Sequence, residues 1–235
     1  MDIGERFVFN KLVTGGWRIG VSDKLVVKAL SNVLEKEPNW LTHKLMGNWD
    51  PAKISFEALL AAETDENQDF SKPYPFYLAY PLEKELADLG NPSDWFAEWK
   101  WDGIRGQIIK RGNEHYVWSR GEELLTDKFP EYNTLAKALP NGTVLDGEIL
   151  AFENNLPLPF HQLQTRISRK NITAKALKES PVVFMAYDLL EWEGKDLRET
   201  PLSERKVLLQ ELVKRVNMPE LFIASDPVEF STWEE

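Results

Sequence analysis

The chain has 235 residues, 43% of them hydrophobic and 28% charged, with no cysteine; this is enough for a substantial core and excludes disulfides, thiolate catalysis and cysteine-ligated zinc or iron–sulfur centres. A net charge of −10, from 28 basic and 38 acidic residues, argues at face value against a nucleic-acid partner. The opening MDIGERFVFN carries Asp2 and Glu5 where a secretory leader needs basic and then apolar residues, and no apolar run approaches about 20 residues, so the expectation is a soluble, cytoplasmic, monomeric protein with no membrane partner.

Residues 1–62 read as helical. Phe7 to Val13 predicts a short helix stopped by Gly15–Gly16. From Val21 to Glu35 the residues Leu25, Val26, Ala29, Leu30, Val33 and Leu34 recur at three- and four-residue spacing, which lines one helix face. Ser22 is its candidate N-cap, with Asp23 favourable in the first turn. Pro38 opens a further helix carrying Leu41, Leu45 and Met46 and closed by Gly47, and Ile54 to Ala62 suggests another. A small helical domain follows, its apolar face packed on itself or on what comes next. Residues 1–60 carry 8 basic and 7 acidic side chains, whereas residues 61–99 carry 2 and 9. The acidity is therefore concentrated in the middle, and residues 63–77, acidic and with prolines at 73 and 75, read as a linker.

From residue 78 the texture is that of strands. Trp95 to Trp101 is one candidate. Ile104 to Arg111, Gly112–Asn113 and His115 to Arg120 read as a hairpin around a tight turn. Thr143 to Phe152 and Pro181 to Leu190 are further strands, and Ser203 to Val216 returns to helical spacing through Val207, Leu208, Leu212, Val213 and Val216. Strands interleaved with helices predict an α+β domain over residues 78–235. Gln164 to Lys178 holds five basic residues and no acidic ones. It is either a solvated basic surface or a face that meets phosphates although the whole chain is acidic; Arg166, Arg169 and Lys170 are its candidates for DNA-backbone contact.

The most informative stretch is Glu98-Trp99-Lys100-Trp101-Asp102-Gly103-Ile104-Arg105. A lysine at a strand end before Asp-Gly sits where the backbone turns and glycine can take positive φ. Burial and a neighbouring cation, here Arg105, both disfavour an ammonium ion, and a neutral amine is a nucleophile. A lone Lys-x-Asp-Gly describes a surface hairpin equally well. This one is followed by Ser119-Arg120-Gly121, by Leu145-Asp146-Gly147-Glu148-Ile149 with two carboxylates on an apolar strand, and by Val182 to Leu190 with Tyr187-Asp188 inside it. A carboxylate there can accept ribose hydroxyls or hold a metal. Strand alternation puts Trp99 and Trp101 together on the face opposite Lys100, packed on the far side of the sheet rather than stacked on bases. His43, His115 and His161 are too scattered for a zinc hydrolase or a histidine triad.

In order and wording these motifs resemble the covalent nucleotidyltransferases that form a lysyl–AMP intermediate, and most closely the ATP-dependent DNA ligases of bacterial type. The resemblance covers about residues 74–216. It implies an ATP-grasp-like nucleotidyltransferase domain, an antiparallel sheet with helices, preceded by a helical DNA-binding-like domain at residues 1–62. It implies ATP and Mg²⁺ as cofactors and nicked double-stranded DNA as partner. Residue by residue, Lys100 matches the nucleophile, Glu98 the acid that reads the adenine amino group, and Arg105 the arginine on the ribose side. Arg120 matches a phosphate contact, Glu148 the carboxylate near ribose and metal, and Asp102 a residue that orients the loop and acts in later steps. Tyr187 falls where the family stacks an aromatic ring, usually Phe, on adenine. The family continues with a Glu-Gly strand ending in lysine, a Lys-x-Lys motif and an oligonucleotide-binding barrel. None of these occurs before Glu235, so the sequence reads as an N-terminal portion of which nick sealing is not expected. An RNA ligase or capping-type enzyme, and an inactive nucleic-acid-binding module, are the alternatives.

Overall fold

The computed structural model describes residues 2–14, 23–36, 41, 45, 52–61, 71–77, 79–121 and 123–233. The chain divides into two compact units, residues 1–63 and 64–235.

The first unit contains helices α1 (Ile3–Thr14), α2 (Asp23–Leu34) and α3 (Phe56–Ala61), and Leu41 and Leu45 are also helical. Helix α1 begins earlier than its apolar residues announce, because Asp2 and Glu5 cap each other's backbone. The Glu5 N–H donates to Asp2 Oδ1 at 2.7 Å and the Asp2 N–H to Glu5 Oε2 at 2.8 Å. Ser55 caps α3 by accepting the Ala58 N–H at 3.1 Å. Leu41 and Leu59 are buried, while Leu25, Val26 and Val33 on the apolar face of α2 are exposed. The expected stops and caps at Gly15–Gly16, Ser22, Pro38 and Gly47, and Met46 with them, lie outside the described residues.

The second unit is built on one seven-stranded sheet. Its strands are β2 (Ile104–Arg111), β3 (Glu114–Ser119), β4 (Thr143–Glu153), β5 (Leu156–Pro157), β6 (Val182–Trp192), β7 (Lys195–Asp196) and β8 (Phe222–Ala224). The central order is β3-β2-β4-β6-β7, with β5 on β4 and β8 on β6. All pairs are antiparallel except β6–β8, so the sheet is mixed rather than purely antiparallel. The hairpin β2–β3 turns at Gly112, whose φ of +59° suits glycine. A separate two-stranded ribbon pairs β1 (Ala97–Glu98) with β9 (Pro227–Val228). The strand expected over Trp95 to Trp101 is therefore only two residues long, and Lys100 lies in the loop after it.

Alternation divides the sheet into two unlike faces. Ile108, Leu145, Ile149, Ala151, Val182, Phe184, Ala186 and Leu189 point to one side, where α4 (Tyr132–Ala138), α5 (Phe160–Ile167) and α7 (Leu202–Val216) cover them with Tyr132, Leu135, Leu163, Leu209, Leu212 and Val216; the short α6 (Ala174–Glu179) lies between the last two in the chain. This continuous apolar layer is the main core, and each large side chain in it is worth about 1.5–3 kcal/mol of burial. Helix α7 departs from its expected stripe. Val207 is 59% exposed, and the buried line is Lys206, Leu209, Leu212 and Val216.

The opposite face carries two smaller apolar patches. Ile109, Trp118, Val144 and Leu190 form one; Leu150, Val183 and Met185 form the other, with Trp101 packed against them. Residues 71–77 run along this face, so the second half of the stretch expected as a linker packs on the sheet. Tyr74 exchanges two bonds with the fully buried Gln107, its N–H donating to Oε1 at 2.8 Å and its carbonyl accepting from Nε2 at 3.0 Å. The Tyr74 hydroxyl donates to Glu191 at 2.7 Å, and the Trp118 indole N–H donates to the Ser71 carbonyl at 2.5 Å. Two aromatic residues anchor a segment whose acidic, proline-rich composition suggests none.

Candidate active site

Between the two apolar patches the open face is polar. Arg105 on β2, Asp146 and Glu148 on β4 and Tyr187 on β6 stand side by side there, since β4 pairs with both neighbours, Arg105 opposite Glu148 and Gly147 opposite Ala186. A register shift in β6 between the partners of Asp146 and Gly147 leaves Tyr187 as the extra residue of the bulge. Arg105 donates to Asp146 through Nε at 3.2 Å and Nη2 at 3.0 Å. Its guanidinium lies 5.3 Å from the Tyr187 ring centroid and 6.0 Å from that of Phe76. The Tyr187 hydroxyl donates to Glu148 Oε2 at 3.3 Å.

Burial governs the charges. It pushes the Asp146 and Glu148 carboxyls up from their ordinary values; Arg105 works against this at Asp146, and the Tyr187 hydroxyl, the Gly103 N–H, Arg105 and Lys100 work against it at Glu148. Tyr187 is raised for the same reason, with Asp146 adding to it. Burial alone would lower Arg105, but its bond to Asp146 prevails and raises it.

The two Asp-Gly pairs owe their glycines to crowding rather than to handedness, since neither Gly103 nor Gly147 has positive φ. A Cβ on Gly103 would lie 2.3 Å from the Ile149 carbonyl oxygen, and one on Gly147 would lie 2.5 Å from that of Met185 and 2.8 Å from the Phe184 ring. Glycine lets the loop after Lys100 approach β4, where the Gly103 N–H is among the groups that oppose the effect of burial on the Glu148 carboxyl. Lys100 and Asp102 are both exposed at that loop. Arg120 is exposed at the end of β3, its backbone N–H donating to the Arg105 carbonyl at 2.9 Å. Glu98, on β1, accepts a bond from Lys206 of α7 at 2.5 Å.

A family model described as ATP dependent DNA ligase domain matches residues 77–235. The chain belongs to the ATP-dependent DNA ligase domain family. Among relatives, it is 32% identical to a probable DNA ligase of Koribacter versatilis over 202 residues, covering 85% of this chain and 34% of that protein. It is 32% identical to one from Sorangium cellulosum (90% and 40%) and 31% identical to a DNA ligase of Sulfolobus acidocaldarius (86% and 36%). The chain thus spans between a third and two fifths of the length of these relatives. The crystal structure of the ligase domain from M. tuberculosis LigD aligns with a TM-score of 0.49 at 26% identity, covering 60% of this chain and 43% of that one.

Within this ligase-family domain the structure gathers Arg105, Glu148 and Tyr187 and sets Glu98, Lys100, Asp102 and Arg120 on the segments that border them. It separates Arg166, Arg169 and Lys170 from that group, placing them on α5 and the segment after it. Arg166 is corrected from a phosphate contact to a structural residue. It is 1% exposed and all five of its N–H donors are taken, by both Glu131 oxygens, by the Lys128 carbonyl twice and by the Ser180 carbonyl. Arg169 and Lys170 keep exposed surface, and Arg169 pairs with Glu179 at 3.6 Å. The two tryptophans part company because β1 ends at Glu98. Trp99 is 69% exposed, whereas Trp101 packs on the Leu150 patch and donates to Ser225 Oγ at 3.2 Å. Sequence reasoning passed over Asp146 as the partner of Arg105, Gln107 as the anchor of residues 71–77, and Lys206. Each is a polar residue at an apolar position of a strand or helix, which is the signal that marks them.

Proposed function

We propose that this chain is the adenylating part of an ATP-dependent DNA ligase, in which Lys100 takes AMP from ATP. The observation that carries this reading is the polar strip Arg105–Asp146–Glu148–Tyr187 between two apolar patches, bordered by an exposed lysine on the loop that Gly103 lets approach β4. Lys100 Nζ forms a bond to the α-phosphorus while the bond from that phosphorus to the bridging oxygen breaks. Pyrophosphate leaves and the amine proton passes to solvent. Tyr187 offers a ring for the adenine to stack on, Glu98 accepts from its amino group, and Arg105 reaches the ribose with the three N–H donors that Asp146 leaves open. Arg120 meets phosphate oxygens, and Asp102 orients the loop.

Mg²⁺ binds through one or two carboxylates plus substrate phosphates rather than in an all-protein cage. Glu148 is the carboxylate that would hold it, Asp146 being engaged by Arg105. The ion would neutralise charge developing on the phosphates.

In the whole protein, AMP passes from Lys100 to the 5′-phosphate at a nick in double-stranded DNA, and the 3′-hydroxyl displaces it. Residues 1–62 would serve as a helical DNA-binding-like domain, and Arg169 and Lys170 would contact the DNA backbone. The test is the intact mass of the chain after incubation with ATP and Mg²⁺, beside the Lys100→Ala variant. The wild type should gain one AMP and the variant none. A wild type that gains nothing, or an adduct that persists on the variant, overturns the reading.

A further inference from the structure

Lysine on the buried stripe of a helix requires an explanation, because an unpaired charge there is costly. Lys206 occupies that stripe in α7, one turn before Leu209, and is 8% exposed. Its Nζ donates to Glu98 Oε1 at 2.5 Å and lies 5.6 Å from the Phe96 ring centroid. The adjoining Arg205 donates to both oxygens of Asp188, at 2.8 and 2.9 Å, next to Tyr187. The first turns of α7 therefore grip two carboxylates, one two residues before Lys100 and one beside the stacking ring. Glu98 Oε2 has no hydrogen-bond partner among the described residues.

We propose that Lys206 is a positioning residue that selects the base of the nucleotide, by fixing Glu98 through Oε1 so that Oε2 is presented to an exocyclic amino group. This rests on the adenylation reading above and extends it to the origin of base selectivity. A glutamate side chain has three rotatable bonds, and held only by its backbone it samples many rotamers. A single short charge-assisted bond to a buried ammonium removes most of that freedom. A carboxylate has lone pairs enough for both partners. The amino group would then meet an acceptor already in place, and a purine lacking that group would leave Oε2 buried and unpaired, which a polar site penalises strongly.

The experiment is equilibrium binding by this chain of ATP and of purine riboside triphosphate, which has hydrogen in place of the amino group, for the wild type, Lys206→Met and Lys206→Arg. The wild type should prefer ATP by about tenfold or more, the scale of one hydrogen bond to a charged group. Lys206→Met should bring the ratio to within about twofold by weakening ATP and leaving the analogue unchanged, and Lys206→Arg, which can still reach Glu98, should restore it. Equal weakening of both nucleotides by Lys206→Met, or an unchanged ratio, would overturn the proposal, the first outcome marking Lys206 as merely structural. Thermal melting of each variant separates loss of fold from loss of selectivity. Failure of the adenylation reading looks different: the wild type then binds neither nucleotide, or gains no AMP on Lys100.

Discussion

The two faces of the central sheet are made by the same three strands and are opposite in kind. On the covered face β2, β4 and β6 present a continuous apolar layer to the helices; on the open face the same strands present Arg105, Gln107, Asp146, Glu148 and Tyr187 between apolar patches. Each side has its arginine, Arg166 buried and Arg105 with its side chain 21% exposed, and the pair makes the contrast plain. Arg166, behind the helices, has every donor engaged and holds Glu131 and two carbonyls in place. Arg105 is held by one carboxylate and two rings, and its other three donors have no hydrogen-bond partner among the described residues. Saturation marks an arginine that keeps the fold; incomplete pairing at an open face marks one that can take a ligand.

The largest effect should come from the covered face. Phe184→Ala removes a fully buried ring against Tyr132 and should cost about 3–5 kcal/mol in chemical denaturation. Arg166→Met strands the Glu131 carboxylate and two carbonyls, and should cost on the order of 3 kcal/mol. If Arg166 met DNA instead, the variant would melt normally and bind DNA less tightly. On the open face, Tyr187→Ala should slow AMP transfer to Lys100 by about tenfold or more, the scale of lost base stacking. Tyr187→Phe keeps the ring and should change the rate only a few-fold; equal losses in the two variants would move the role from the ring to the hydroxyl.

How much of this was legible beforehand follows the same division. The strands at Ile104 to Arg111 and Thr143 to Phe152 and the hairpin turn at Gly112 could be read because alternation and turn chemistry act locally. Lys100, Arg105, Glu148 and Tyr187 stand out in the sequence because their wording travels with a family, and their roles rest on the proposed function. What depends on distant partners could not be read. The role of Arg166 is fixed by Glu131, 35 residues away. The stripe of α7 runs through Lys206 rather than Val207 because Glu98, 108 residues away, waits for it. The two-residue β1 lacks enough length for its alternation to place Trp99 and Trp101.

Two smaller effects sharpen the comparison. Under the proposed function Glu148 acts as a carboxylate at the open face, and its burial moves the titration upward. The acid limb of AMP transfer should therefore fall at a higher pH than that of an exposed glutamate, since the charged form exists only above the raised value. Glu148→Gln should remove that limb together with most of the activity, as a pH–rate profile would show. Val207→Ser, on the solvent side of α7, should change stability by no more than about 0.5 kcal/mol; a loss of several times that would return Val207 to the core.

The ribbon that pairs β1 with β9 has a bearing on how the molecule is made. Ala97 meets Val228 and Glu98 meets Pro227, across about 130 residues of chain, and contacts of such separation close late because the entropy of ordering the intervening loop must first be met. During synthesis the segment that leads into Lys100 leaves the ribosome long before its strand partner exists. The sheet behind the site needs only residues up to Ala224, so the scaffold can be assembled while the lysine loop still lacks its ribbon. Maturation of the site is then the closing step of the fold, timed by the arrival of four residues at opposite ends of the domain.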